Sequence, residues 1–276
     1  MIARWLSMPM FLLLACGGRS VGPPPVSRTA VSVAAPTAAT PLKNAVTFIV
    51  FADVTRSLTE EEERSVIDNV QKVIDVLPPR SKFMLFPILE DVERSTAIVS
   101  REILDVETTS DAVAADTQRS QLRKQAAVDL AAVLHGRTDG RNRTCISGAL
   151  RKAEELTADV RGSVELVLVS DMLEDCRDSL LGGPLRLQKS SITEELNAAR
   201  SIRGGPLVAL HGASVTVVLP TVPTSGEKVA RPPVHELKAF WRAVLDNCGD
   251  RQANYRFGTG VPNRLQDYRN RSDGGL

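Results

Sequence analysis

Five side chains of this sequence could bind a metal ion through oxygen. Asp53, Thr55 and Ser57 stand at every second position directly after a continuous apolar run. Thr144 comes just before a segment with helical spacing, and Asp171 comes just after a second apolar run. Two carboxylates and three hydroxyls, with no histidine or thiolate among them, suit Mg²⁺, Ca²⁺ or Mn²⁺ rather than Zn²⁺. No catalytic step is needed to explain this set, so we expect a binding site and no enzyme activity.

Each of these residues also has an ordinary structural explanation. Polar caps are expected where a strand enters a helix, Thr144 is a good helix N-cap, and Asp171 is a common turn residue. Taken singly, each is more often structural than functional. The metal hypothesis depends on finding all three groups in order, each next to its own predicted strand or helix.

The elements that must position these side chains alternate between strand and helix. Continuous apolar runs at residues 46–51 and 164–169 are typical of strands buried on both faces of a sheet. Thr59 and Glu62 form a capping-box pattern, which begins the first helix and leaves the side chains before it free. Further strands are predicted at residues 82–89, 95–100 and 214–220, with Pro87 near an edge or a bulge, and helices at 59–77, 111–135, 146–156, 192–202 and 237–245. This alternation predicts an α/β fold, Rossmann-like and three-layered, with a mostly parallel central sheet and helices on both faces.

The same residues resemble the motif of a von Willebrand factor A (VWA) domain with a metal-ion-dependent adhesion site (MIDAS). That motif places Asp-x-Ser-x-Ser after the first strand, a Thr before a later helix and an Asp after the next strand. All lie at the carboxyl ends of the strands, where an open α/β sheet binds its ligands. Here Asp53, Thr55 and Ser57 match the first part, while Thr144 in "RTCISGAL" and Asp171 in "VLVSDM" match the others. The resemblance covers roughly residues 44–248.

Four positions depart from the family's pattern. Thr55 replaces the middle serine and keeps its hydroxyl, and Cys145 stands where asparagine is usual. Ser170 and Met172 flank Asp171 where the family has threonine and glycine. The missing glycine makes the loop after Asp171 the place where the resemblance is weakest.

The resemblance implies a divalent cation held by the hydroxyls of Ser57, Thr55 and Thr144, with Asp53 and Asp171 acting partly through water. In that family, an acidic side chain of a partner protein completes the coordination, so binding is metal-dependent protein recognition. A low ligand charge leaves the cation electrophilic towards an incoming carboxylate. The expected cofactor is Mg²⁺, or else Ca²⁺ or Mn²⁺, and the expected partner is a protein that presents an acid.

Composition excludes a nucleic-acid partner. The formal net charge is +1, so the chain carries no excess of basic residues with which to neutralise phosphates. Aromatic residues are 4% of the chain, too few for a platform on which bases stack.

The N-terminal segment predicts export and a lipid anchor. One basic residue precedes an apolar run too short to span a membrane, and Leu13-Leu14-Ala15-Cys16 resembles a bacterial lipobox. That resemblance implies cleavage before Cys16 and lipidation of its thiol. Because Gly17 rather than Asp follows, it also implies the outer membrane of a Gram-negative cell envelope. The alternative is a plain secretory signal with a chance cysteine.

Four segments follow from these patterns. A signal peptide is predicted at residues 1–15, a linker rich in Pro, Ala, Ser and Thr at 16–43, the folded domain at 44–248 and a polar tail at 249–276. The membrane is contacted through the lipid anchor alone.

Three cysteines remain for the folded domain, and an oxidising compartment favours a disulfide. Cys145 opens a helix at the carboxyl-end face of the sheet, and Cys176 lies in a loop on that same face. Cys248 ends the last helix, which should run to the opposite face. We predict a Cys145–Cys176 bond, with Cys248 unpaired.

Two other interpretations stay open. A haloacid dehalogenase-like phosphohydrolase would also place a nucleophilic Asp after the first strand. However, the second acid expected two residues after Asp53 is Thr55, and "VTVVLP" ends without an acidic pair for Mg²⁺. A VWA-like structural protein with a non-functional metal site would keep the fold and bind no cation.

Overall fold

The computed structural model describes one part of the chain. The described residues are 45–55, 58–105, 108–136, 143–174, 209–210, 212–220, 234–245, 255–258, 260–263, 265 and 267. The chain divides into two units, Met1–Pro41 and Leu42–Leu276, and every described residue belongs to the second. Several predicted features lie outside the described residues: the signal peptide, the lipidated Cys16, the linker, Ser57, Cys176, Cys248 and the helix at 192–202.

The predicted strands and helices that fall within the described residues are present there. The strands are β1 Val46–Asp53, β2 Lys82–Ile88, β3 Val99–Glu102, β4 Ser163–Val169, β5 Ser214–Val218 and β6 Tyr255–Gly258. The helices are α1 Glu60–Asp75, α2 Thr109–His135, α3 Ile146–Ala158 and α4 Val234–Leu245, with a short 3₁₀ turn at Val92–Arg94. Within these ranges, no helix has both the length and the apolar character that crossing a membrane requires.

These strands form a six-stranded sheet in the order β3-β2-β1-β4-β5-β6. All neighbouring strands are parallel except β3, which pairs antiparallel with β2 at one edge. Helices lie on both faces, so the α/β, three-layered, mostly parallel fold expected from the sequence is confirmed. The two central strands, β1 and β4, are adjacent, and their carboxyl ends meet at the same edge of the sheet.

The two faces of the central strands pack against different helices. Alternate residues, such as Ile49 and Leu166, belong to a core shared with α3 and α4. The residues between them, such as Phe48 and Val167, belong to a second core shared with α1 and α2. Because β1 is buried along its whole length, apolar residues occupy consecutive positions rather than alternate ones.

Helix α1 begins as the sequence predicts. The Thr59 hydroxyl accepts a hydrogen bond from the backbone N–H of Glu62 at 3.3 Å, and the Glu62 carboxylate accepts one from the backbone N–H of Thr59 at 2.9 Å. This capping box fixes the helix start with residues that lie beyond Asp53 and Thr55. Neither of those two side chains is used as the cap of α1.

Pro87 lies near the end of β2, in the part of that strand that pairs with β1 alone. The antiparallel pairing of β2 with β3 covers only Lys82–Leu85, whereas the pairing with β1 continues to Ile88. Among the described residues, this end of β2 has a partner strand on one side only. The proline therefore occupies a local edge, where the loss of a backbone N–H is tolerated.

The domain extends beyond the predicted boundary at residue 248. Tyr255–Gly258 pairs with β5 as the last strand of the sheet, and Leu265 is fully buried in the core. The expectation of a polar tail over 249–276 is wrong in this region. A four-residue edge strand carries too short a pattern to stand out in a polar sequence.

The first turn of α3 approaches the 3₁₀ turn closely. A Cβ atom at Gly148 would lie 2.8 Å from Val92 Cγ1 and 2.9 Å from Cys145 Sγ, so glycine permits this approach. An ion pair between Arg151 and Glu93 joins the same two segments. The start of α3, which follows the candidate ligand Thr144, is thus packed firmly against its surroundings.

Candidate metal centre

The carboxyl ends of β1 and β4 bring the candidate ligands to one edge of the sheet. Asp53 is the last residue of β1, and Ala52 is paired with Val169, the last residue of β4. Asp171 follows two residues after Val169. Both carboxylates are buried, with Asp53 at 0% and Asp171 at 7% exposure. Parallel pairing of two strands therefore explains why acids far apart in sequence end at the same edge.

Three of the candidate ligands are in direct contact. The Thr55 hydroxyl donates to Asp53 Oδ1 at 2.7 Å, and the Thr55 backbone N–H donates to the same oxygen at 3.0 Å. The Thr144 hydroxyl donates in turn to the Thr55 hydroxyl oxygen at 3.0 Å. All three side chains are buried. A hydrogen bond between two hydroxyls thus joins Thr55 and Thr144, which are 89 residues apart.

Thr144 is not the cap of α3. The N-cap position belongs to Cys145, whose side chain makes no capping hydrogen bond. The structural explanation for Thr144 as a helix cap is therefore wrong, and its hydroxyl points to the site instead. Thr55 is not a helix cap either, because its hydroxyl contacts Asp53 and the cap of α1 is Thr59.

Ser170 is a residue of the site that the predicted ligand set omits. Its hydroxyl donates to Asp53 Oδ2 at 2.8 Å and accepts from the backbone N–H of Met172 at 2.9 Å. It is fully buried. Ala52 pairs with Val169 in the parallel register, so the residues that follow them, Asp53 and Ser170, are expected to lie side by side. This register could have predicted the role of Ser170. Ser170 therefore holds the second oxygen of Asp53 and orients the loop that carries Asp171.

The loop after Asp171 keeps a left-handed backbone although the glycine of the family's motif is missing. Met172 has φ +63°, a conformation that favours glycine. Its side chain is fully buried, and its carbonyl accepts a hydrogen bond from Trp241 Nε1 at 2.9 Å. Asp171 Oδ1 accepts from the backbone N–H of Leu173 at 3.0 Å. Core packing and these hydrogen bonds hold the turn in place of glycine's conformational freedom.

Glu174 supplies the cap that α3 lacks locally, and no sequence pattern pointed to it. Its Oε2 accepts from the backbone N–H groups of Ile146 at 2.6 Å and Ser147 at 3.1 Å, and its Oε1 accepts from the Ser147 hydroxyl at 2.5 Å. A carboxylate at the N-terminus of a helix satisfies donors that have no partner within the helix and complements the helix dipole. Glu174 thereby links the loop after β4 to the start of α3.

Burial governs the protonation of Glu174, which is 5% exposed. Desolvation raises the pKa of this carboxyl above its usual 4.5, and the hydrogen bonds from Ser147 and Ile146 and the charge of Arg151 offset only part of that rise.

Cys145 is disulfide-bonded. The other three cysteines of the chain lie outside the described residues, so the pairing with Cys176 stays a prediction.

The donor set fits a hard divalent cation. It offers carboxylate and hydroxyl oxygens from Asp53, Thr55, Thr144 and Asp171, which are the ligands that Mg²⁺ and Ca²⁺ prefer. In the described part of the chain, no group of three or more His, Cys, Asp or Glu side chains is placed to hold a metal ion. A site that combines two acids with hydroxyl ligands does not need such a group.

The chain was compared with known proteins. No protein-family model matches it, and no curated protein matches it. Among solved structures, the von Willebrand factor type A protein from Catenulispora acidiphila is 14% identical, with 83% of this chain and 42% of that chain covered and a TM-score of 0.41. The conserved hypothetical protein BatB from Bacteroides thetaiotaomicron is 11% identical, with 81% and 94% covered and a TM-score of 0.37.

A third similar structure is the proximal thread matrix protein 1 of the mussel byssus, whose MIDAS motif is occupied by zinc. It is 11% identical, with 82% of this chain and 45% of that chain covered and a TM-score of 0.37. The chain thus spans less than half of the Catenulispora and mussel chains. At such identities the likeness concerns the fold alone. The described sheet, mostly parallel and covered by helices on both faces, has the three-layered α/β architecture that the sequence predicts.

The Met172→Gly variant should have a more stable folded state than the Met172→Ala variant. Met172→Ala loses a buried side chain, at a cost of about 2–5 kcal/mol. Met172→Gly loses the same side chain but relieves the left-handed backbone, so it should be about 1 kcal/mol more stable than the alanine variant in urea unfolding. At Ala153 within α3, by contrast, glycine should be about 1 kcal/mol less stable than alanine. Equal stability of the two variants at position 172 would contradict a left-handed Met172.

The Glu174→Gln variant should change how stability depends on pH. Because the folded-state pKa of Glu174 is raised, the native protein holds a proton that the unfolded chain has released above pH 4.5. The stability contributed by this group is full below that pH and falls as pH rises through the folded-state pKa. The free energy of unfolding of wild type, minus that of the variant, should decrease as the pH rises above 4.5. A difference that does not vary with pH would show that the pKa is not raised.

Proposed function

We propose that this protein is a binding module that recognises a partner protein through a divalent cation, with Mg²⁺ as the expected ion. The cation would be held by Asp53, Thr55, Ser57, Thr144 and Asp171. The observation that carries the proposal is the contact chain from Thr144 through Thr55 to Asp53. It gathers buried oxygen donors from two distant segments at the edge where such sheets bind ligands.

The chemistry of these donors favours recognition over catalysis. Hydroxyl ligands are neutral, and acids that act partly through water neutralise the ion only in part, so the ion still attracts an incoming carboxylate. When bound, the cation supplies an electrophilic position for an acidic side chain of the partner. The residues of this chain then hold and orient the ion.

The geometry of Asp53 disfavours the phosphohydrolase alternative. Its Oδ1 accepts from Thr55 and its Oδ2 accepts from Ser170, and the side chain is fully buried. A nucleophilic carboxylate needs an oxygen free to attack a substrate. The residue two positions on, where a second acid would act, is a hydroxyl donor to Asp53 instead.

We further propose that the module is tethered outside the cytoplasm. The lipobox-like sequence ending at Cys16 would carry the lipid, and the segment at 16–43 would hold the domain away from the membrane surface. A Cys145–Cys176 disulfide would suit an oxidising compartment and would brace the loops beside the cation. Mass spectrometry of the intact mature protein tests this: a mass without diacylglyceryl modification at Cys16, or peptides that pair Cys145 elsewhere, would contradict it.

A pair of threonine variants on the same helix region tests the metal site. Thr144→Val removes the ligand hydroxyl and should weaken Mg²⁺ binding at least about tenfold in isothermal titration, since loss of even a supporting partner costs that much. Thr157 lies at the other end of α3, and its hydroxyl donates to the backbone carbonyl of Glu154. Thr157→Val should bind like wild type.

The same titration decides between the alternatives. A wild-type protein that binds none of Mg²⁺, Ca²⁺ and Mn²⁺ would support a structural protein with a non-functional site. Turnover of a phosphate ester that is lost in Asp53→Asn would support the phosphohydrolase.

Recognition of the partner should depend on the cation. Cell-envelope proteins captured on immobilised wild-type protein in Mg²⁺ should be released by EDTA, because removing the ion removes the position that binds their acidic side chain. Immobilised Thr144→Val protein is the control and should capture them poorly. A partner retained equally in Mg²⁺ and EDTA would show that recognition does not pass through the metal.

A further inference from the structure

We infer that Glu174 is the positioning residue of the metal site, because its carboxyl group fastens the segment after Asp171 to the segment after Thr144. This inference rests on the proposed function. Glu174 is buried and accepts three hydrogen bonds from two consecutive residues, Ile146 and Ser147. These two residues follow directly on the N-cap that succeeds Thr144.

Each residue between Asp171 and Glu174 is also tied down. Met172 donates its backbone N–H to Ser170 and accepts from Trp241. Leu173 donates its backbone N–H to Asp171. The loop is thus fixed at its start by the end of β4 and at its end by the helix. A shift of Glu174 would move the loop that bears Asp171 relative to Thr144.

Neither Thr144 nor Cys145 caps the start of α3. Cys145 makes no side-chain cap, and the Thr144 hydroxyl is directed to Thr55. A buried carboxyl that loses its partners is costly, so Glu174 has one well-defined arrangement rather than several. Metal sites need ligands held within about 0.5 Å of the binding geometry, which such an anchor supplies.

Four variants of the full chain separate positioning from charge and from general stability. Glu174→Ala removes the anchor. Glu174→Gln keeps it without charge, because its amide oxygen can accept the two backbone N–H groups and its NH₂ can donate to the Ser147 hydroxyl. Ser147→Ala removes one bond and keeps the carboxyl. Ser81→Ala is the distant control, since it deletes a buried hydroxyl bonded to the Pro78 carbonyl before β2, at the opposite end of the sheet.

Mg²⁺ affinity measured by isothermal titration should fall about 10- to 100-fold in Glu174→Ala. It should fall a few-fold in Ser147→Ala and stay within about threefold of wild type in Glu174→Gln and Ser81→Ala. Wild-type affinity in Glu174→Ala would overturn the inference. So would a glutamine variant as weak as the alanine variant, which would indicate charge alone, or an equal loss in Ser81→Ala, which would indicate stability alone.

Hydrogen exchange in the metal-free protein tests the anchor without any cation. The backbone amides of Ile146 and Ser147 should exchange at least about tenfold faster in Glu174→Ala than in wild type and remain protected in Glu174→Gln. If wild type binds no cation, the proposed function fails while this measurement still decides whether the anchor exists. Unchanged exchange in Glu174→Ala would overturn the anchor even where Mg²⁺ binds. If Glu174→Ala does not fold, Ser147→Ala carries both measurements.

Discussion

A carboxylate buried at the end of a central strand must have its oxygens hydrogen-bonded or neutralised, and the polar structure of this sheet edge follows from that constraint. Asp53 ends β1 with no exposure to solvent. Thr55 satisfies one oxygen and Ser170 the other. Each of these hydroxyls also accepts a hydrogen bond: Thr55 accepts one from the Thr144 hydroxyl, and Ser170 accepts one from the backbone N–H of Met172. One buried acid thus organises both loops of the candidate site.

Two features of the loop after β4 are unfavourable by themselves and are stabilised by contacts with the core. Met172 takes a backbone conformation unfavourable for a residue with a side chain, and Glu174 is a carboxyl removed from water. Packing of Trp241 and its hydrogen bond to the Met172 carbonyl hold the first. Helix donors of α3 satisfy the second. The site therefore depends on α3 and α4 as much as on the strands that carry its ligands.

The sequence allowed prediction of the layers, the central strands and the edge at which the candidate ligands lie, because apolar runs and capping boxes are local signals. Thr144 and Asp171 are candidates because of their order along the chain. Ser170 was missed as a partner of Asp53, since its role depends on parallel register. Glu174 was missed because a cap supplied from a distant loop has no local pattern, and β6 because four residues carry too little periodicity.

The non-local cap of α3 also bears on how the chain folds. The first turn of α3 obtains an acceptor from a residue 28 positions further on, so this hydrogen bond forms only when the loop after β4 is in place. A short helix gains little stability alone in water, and contacts distant in sequence form late because closing the loop costs entropy. We therefore expect the contact between Glu174 and the start of α3 to form late in folding.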